Sequence, residues 1–302
     1  MTRARLSVAL RVAAVVALAV LLWRVADGEA ALARLAQAEP GWLLAAGALL
    51  ALQTVLSAQR WRLTAAGLGL TLPFWTALRE YYLAQVVNQS LPGGVLGDAG
   101  RAVRSRAGAG LRVAAQAVVF ERLAGQLGLL ALLCAGLALS VALPGLTWPD
   151  WLGLALLTGA GVATLVAAAT AAAAPLRRAA RAFGQTVFAR GIWARQVGLS
   201  LGTALCNVGA FALCARGLGV PLPTLAVIAV LPLILFAMLL PLSIAGWGLR
   251  EGAAALLFPA FGATAAEGLA ASVAFGLVFL ATSLPGLAIP LLRPNAPAGP
   301  EP

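Results

Sequence analysis

The chain has 302 residues, 62% hydrophobic and 10% charged, and its mean hydropathy is +0.95. Soluble domains carry roughly 25% charged residues, so there is too little polar surface here to cover a globule, and an ordinary soluble protein is excluded. The basic residues are all arginine, 21 against ten acids, for a net charge of +11; in so apolar a chain this reads as cytoplasmic loops facing anionic lipid rather than as a nucleic-acid surface.

Histidine is absent. That removes Ser-His-Asp triads, Cys-His dyads, histidine-dependent phosphatase chemistry and histidine metal ligands. The cysteines, Cys134, Cys206 and Cys214, lie singly in apolar runs and read as small buried hydrophobes, not as a disulfide framework or zinc site. No metal, no cofactor and no Walker motif is expected.

In chain order, Leu6–Ala26 reads as a retained first membrane span rather than a signal peptide. Asp27–Pro40 spaces apolar residues helically between acids and reads as a short interfacial helix. Gly41–Gln59 is a second span, closed by Arg60, Trp61 and Arg62 as an interface anchor. Further spans follow at Val113–Leu143, Trp151–Ala174, Val197–Ala215 and Ala265–Leu291, with a turn at Pro144–Asp150 between the first two. A basic loop carries Arg177, Arg178, Arg181, Arg190 and Arg195, and residues 293–302 read as a disordered tail.

Two segments, Pro73–Arg101 and Leu225–Phe261, interrupt apolar sequence with proline, glycine and charge. A broken backbone is tolerated in lipid only where protein or a wet cavity satisfies it. The two breaks share a pattern: Leu91-Pro92, Gly97 and Arg101 in one, Leu240-Pro241, Gly246 and Arg250 in the other. The expected fold is therefore an all-α polytopic bundle in one domain over 1–292. It has six full spans and two re-entrant hairpins, arranged as an inverted repeat of about 1–143 and 151–292. A full crossing at Leu225–Ile244 gives seven or eight spans instead. With the N-terminus and C-terminus cytoplasmic, sixteen arginines fall inside, three outside, and Arg122 and Arg250 at membrane depth.

Charges within apolar sequence mark candidate sites: Glu121 with Arg122, Asp98 with Arg101, and Arg250 with Glu251. Each admits a structural reading, in which an ion pair locks the bundle, beside a functional one. In the functional one, arginine forks and helix N-termini meet a phosphate headgroup part-way into the membrane, with Gly93, Gly94, Gly97, Gly246 and Gly248 permitting close approach. The carboxylates would orient the arginines, or receive a cation or proton. Asn88 would cap the first turn, while Tyr81, Tyr82, Trp75 and Trp247 read as anchors or packing. An inverted repeat would bring Arg101 and Arg250 to one cavity near the midplane.

The stretch YYLAQVVNQSLPGGVLGDAGRAVRSR, then FERLAG, then PLSIAGWGLREGAAALLF resemble the lysylphosphatidylglycerol synthase transmembrane-region family, over about residues 8–292. The most specific motifs are N-x-x-L-P-G-G-x-x-G-D-x-x-R at 88–101 and P-x-S-x-x-G-x-G-x-R-E at 241–251; Leu96 stands where the family often has glycine. The resemblance implies a flippase-like domain of the inner membrane. With the sequence ending at Pro302, no aminoacyl-transferase domain is expected, so it implies lipid translocation and not synthesis. The partner is then a lipid with a phosphate headgroup, either an anionic or aminoacylated phospholipid or a polyprenyl-phosphate lipid, with a lipid-modifying enzyme as a possible neighbour. Alternatives are a non-transporting subunit stabilising a lipid-modifying synthase, and an intramembrane lipid-phosphate enzyme.

Overall fold

The computed structural model describes residues 24, 27–90, 95–107, 109–238 and 246–288. The run Leu6–Ala26, apart from Arg24, and the tail 293–302 lie outside the described residues, as do both Leu-Pro breaks with Gly93 and Gly94. Every described element is helical. In order they are α1 (Gly28–Ala36), α2 (Pro40–Gly67), α3 (Phe74–Ser90), α4 (Leu96–Arg104), α5 (Gly110–Ala142) and α6 (Asp150–Ala172). Then come α7 (Ala174–Val187), α8 (Trp193–Gly217), α9 (Thr224–Ala237), α10 (Leu249–Leu257), a 3-10 turn Phe258–Phe261, α11 (Ala265–Ser283) and α12 (Pro285–Ala288). Among the described residues, α2, α5, α6, α8 and the stretch Ala265–Leu287 are long and apolar enough to span a bilayer. All five agree with the sequence-based spans.

Local chemistry sets the helix ends. Asp27 caps α1 by accepting from the Ala30 N–H, with Glu29 in the first turn and Arg34 in the last, so charges oppose the helix dipole at both ends. Thr264 and Glu267 form a capping box at α11. The ends of α2 and α8 are alike in sequence and geometry: Gly67-Leu-Gly-Leu-Thr-Leu-Pro73 and Gly217-Leu-Gly-Val-Pro-Leu-Pro223. In each, a left-handed glycine follows the last turn, Gly69 at φ 80° and Gly219 at φ 73°. Leu70 N–H and Val220 N–H then donate back to Ala65 and Ala215 carbonyls at 2.9 and 3.0 Å. These are Schellman stops, and Pro73 and Pro223 lead into α3 and α9.

The bundle is built around α2 and α8, which pack along their lengths. Gly217 rests on Trp42, Gly209 on Leu49 and Gly202 on Leu56, while Gln196 donates to Thr64. Residue numbers rise on one helix as they fall on the other, so the two run antiparallel. Lipid is as apolar as leucine, so membrane helices gain little from hydrophobic burial against each other and associate through close packing and polar contacts. Glycines supply the approach: Gly128 sits on Ser200, Gly136 on the Ile228 carbonyl, Gly268 on the Ala254 carbonyl.

The order of elements is the same in the two halves: α1 to α5, and α7 to α11. Their neighbours match as well. α1 packs on α11 through Arg34 and Glu267, and α7 on α5 through Phe183 and Phe120. Arg62, Arg104, Arg106, Arg112 and the α7 arginines gather at the end of the bundle where α2 stops; Asp27, Glu29, Glu39 and Glu267 gather at the other, where α8 stops. In contrast, α6 touches the bundle chiefly through α7, and most of its side chains face outward.

The glycine packing can be tested with a pair of opposite sign. A Cβ on Gly136 would lie 1.9 Å from the Ile228 carbonyl oxygen, whereas nothing lies within 4 Å of one on Gly153. Gly136→Ala should cost ~1–3 kcal/mol by overpacking and lower the melting temperature in detergent. Gly153→Ala should gain up to about 1 kcal/mol of helix propensity and leave that temperature unchanged or higher, both read by tryptophan fluorescence.

Candidate functional site

One carboxylate organises the basic half of the bundle. Glu121 on α5 is fully buried, at 0% exposure. Its Oε1 accepts from Arg60 Nη2 at 2.6 Å, Arg60 Nε at 3.1 Å and the Tyr81 hydroxyl at 3.2 Å; its Oε2 accepts from Arg101 Nη2 at 2.7 Å. Arg60 Nη1 also donates to Thr203 Oγ1 on α8 at 2.7 Å. Side chains of α2, α3 and α4 thus meet on a single anion of α5, and Arg60 carries the contact on to α8.

The network continues outward through Arg101. Its guanidinium is 1% exposed and lies between the rings of Trp61 and Tyr81, 4.8 and 4.6 Å from their centroids. Asp98 Oδ1 stands 2.8 Å from Arg101 Nε, yet off the direction in which Nε donates, so Nε and Nη1 make no hydrogen bond among the described residues. Asp98 Oδ2 binds Arg122 Nη2 at 2.6 Å and accepts from Asn88 Nδ2 at 3.1 Å. Asn88 Oδ1 in turn accepts from the Gly97 N–H at 2.8 Å, pinning the start of α4 to α3. Beside this chain Glu80 pairs with Arg79 and Arg104 at the bundle end.

A second, smaller cluster lies on α10 and α11. Arg250 donates to Ser272 Oγ at 2.9 Å and to Glu251 Oε1 at 2.5 Å; Ser272 donates to Glu251 Oε1 at 3.0 Å. Glu251 Oε2 reaches back to the Gly248 N–H at 2.6 Å, closing the first turn of α10. Trp247 and Phe275 flank the guanidinium.

The structure therefore joins Asn88, Gly97, Asp98, Arg101, Glu121 and Arg122 in one network and Gly246, Gly248, Arg250 and Glu251 in another, while Gly93 and Gly94 lie outside the described residues. The described residues do not bring the two clusters to one shared cavity, and among them the clusters have no common partner. Arg101 is level with Trp61 of α2; Arg250 meets Phe275, which stacks on Phe211, level with Leu49. About twelve residues of α2 separate these levels, ~18 Å at 1.5 Å per residue.

Other expectations also change. Gly97 has a packing reason, since a Cβ there would fall 2.1 Å from the Ala84 carbonyl oxygen of α3. Arg60 and Trp61 are 4% and 0% exposed and are not interface anchors. The helix runs on to its glycine stop at 67–69, which keeps both inside the bundle, and the signal was a buried stripe at Thr54, Ser57, Trp61 and Thr64. Arg101, one of the sixteen arginines counted to the cytoplasmic side, is buried. Tyr81, Thr203 and Ser272 also join the clusters without a sequence signal of their own. Cys134, expected to be buried, is exposed on the outer surface of α5. No group of acids and cysteines that could hold a metal occurs among the described residues.

Spanning helices around internal charge networks define a polytopic helical membrane protein. The chain belongs to the lysylphosphatidylglycerol synthase transmembrane-region family, whose model matches residues 8–286 and takes in both clusters. No curated protein and no solved structure matches it.

Removing one partner of a buried ion pair strands the other charge, at about 3–5 kcal/mol. Glu121→Gln strands two arginines, so it should lower thermal stability strongly. Arg122→Gln, from a side chain 39% exposed, should lower it much less. Equal melting temperatures for the two variants would show that Glu121 does not hold the bundle.

Proposed function

We propose that this protein is a lipid translocator of the inner membrane, carrying a lipid with a phosphate-bearing headgroup between leaflets without covalent chemistry. The observation that carries this reading is the network Arg60–Glu121–Arg101–Asp98–Arg122. It sets three arginines and two carboxylates inside a bilayer-spanning bundle, where ionisable groups are costly and mark substrate paths. Arginine forks fit phosphate oxygens. The absence of histidine from the sequence favours transport over hydrolysis.

The architecture fits an inverted repeat with two re-entrant hairpins, α3 with α4 and α9 with α10. Support comes from the matching helix stops, 150 residues apart in numbering at Gly67 and Gly217, from the common order of elements, and from the antiparallel pairing of the equivalent helices α2 and α8. Such an operation places one arginine cluster in each leaflet. A phosphate headgroup would then meet Arg101 from the basic end and Arg250 from the other, while its tail stays in lipid. The basic end is cytoplasmic on the positive-inside rule, which puts both termini inside.

In proteoliposomes, the protein should speed dithionite-accessible exchange of a fluorescent phosphatidylglycerol, and not of a fluorescent diacylglycerol that lacks phosphate. Arg101→Gln should slow exchange roughly tenfold to a hundredfold, the worth of one charge-assisted hydrogen bond. Wild-type protein that accelerates neither lipid would refute translocation. On a cysteine-free background, a cysteine replacing Gln185 should label only from the cytoplasmic face and one replacing Thr147 only from the other; the reverse pattern would invert the assignment.

A further inference from the structure

We infer that Asp98 is a resident anion: it occupies the place of the ligand's phosphate between Arg101 and Arg122, and the headgroup binds by displacing it. This rests on the proposed function, in that it takes the network as the phosphate site, and adds which side chain must leave.

The two carboxylates of the network are held very differently. Glu121 accepts four hydrogen bonds at zero exposure. Asp98 has a side chain 11% exposed, one neutral hydrogen bond from Asn88, and two arginine contacts. One of those contacts lacks hydrogen-bond direction, leaving Arg101 Nε and Nη1 as buried donors without an acceptor. Buried arginine nitrogens in that state are the unmet demand of the site.

Asp98 bridges two guanidiniums through its two oxygens, Oδ1 toward Arg101 and Oδ2 toward Arg122. The non-bridging oxygens of a phosphodiester can make the same bridge, and with tetrahedral geometry they can meet Arg101 in its donor direction. The charge balance points the same way. Among the described residues, the network's side chains are three arginines and two carboxylates, so one added monoanion brings those groups to neutrality, which a low-dielectric site favours. Asp98 can move without unlocking the bundle, because Glu121 keeps Arg60 and Arg101 in place and Asn88 Oδ1 keeps its hold on the Gly97 N–H of α4.

Removing the Asp98 charge should therefore strengthen phosphate binding, the opposite of what is expected when a ligand-contacting residue is lost. Binding of dihexanoylphosphatidylglycerol to the full-length protein in detergent, followed by tryptophan fluorescence, should be roughly tenfold to a hundredfold tighter in Asp98→Asn than in wild type. Dihexanoylglycerol should show no gain. In the wild-type protein the same phospholipid should raise carbodiimide labelling of Asp98, read by peptide mass spectrometry, because displacement frees the carboxylate. This second measurement stands even if Asp98→Asn does not fold.

Unchanged or weaker binding in folded Asp98→Asn, or protection of Asp98 from the carbodiimide, would overturn the displacement while phosphate-dependent wild-type binding leaves the proposed function standing. No phosphate-dependent binding in either protein would overturn both. An equal gain with inorganic phosphate would support displacement and remove the lipid as the source of the anion.

Discussion

The fold at the basic end depends on one carboxylate that has no exposure to solvent. Glu121 is buried and central, and two guanidiniums and a phenol converge on it. Those donors come from α2, α3 and α4, and Arg60 carries the connection on to α8. Apolar helices alone leave many bundle registers nearly equal in energy when the solvent is hydrocarbon. A buried anion with four donor contacts removes that freedom: sliding α2, α4 or α5 by a turn leaves a charge unpaired, at several kcal/mol. Arginine suits the task because its planar fork satisfies several acceptors from one stem, as Arg60 does with Glu121 and Thr203.

Glycine does the complementary work. Where Gly97, Gly128 and Gly136 let helices touch backbone to side, the bundle closes tightly enough for Arg60 and Arg101 to reach Glu121. Close packing and the charge network are thus one device. The hairpin α3–α4 shows both at once, with Gly97 pressed on the Ala84 carbonyl and its N–H held by Asn88.

The class of protein, most of the spans and the family were legible in the sequence, because they rest on composition, run length and local motif. The pairing within the network was not. Arg60 and Glu121 are far apart in the chain, and no local pattern says that one meets the other. A charged residue near the end of an apolar run resembles an anchor until the helix stop is placed, and that stop is set at Gly69, beyond Arg60. A glycine required for a neighbouring helix is written with the same letter as one reserved for a ligand, so Gly97 could be read either way. The clearest likeness between the halves, Gly-Leu-Gly-x-x-Leu-Pro, lies in plain turns away from the charged motifs that draw attention.

The register of those turns also exposes how unequal the halves are. By sequence offset it makes Ala210 the counterpart of Arg60, Phe211 that of Trp61 and Cys214 that of Thr64, all on the buried faces of α8 and α2. One half holds a five-membered charge network; the other has an arginine, a glutamate and a serine flanked by aromatic rings. For a phosphate headgroup the two levels are unlike environments, with the α4 side offering three cations and the α10 side one. In the proposed translocator, unequal sites would change how long a lipid dwells at each level and which step limits the rate. They cannot make net transport run in one direction, since a protein that is returned unchanged shifts only the occupancy of its own states. If Arg101 and Arg250 are stations on a lipid path, the asymmetry of the halves is therefore a kinetic feature. Any net direction has to come from a difference in lipid between the leaflets, such as a synthase that fills only one of them, or from an ion gradient coupled to the passage.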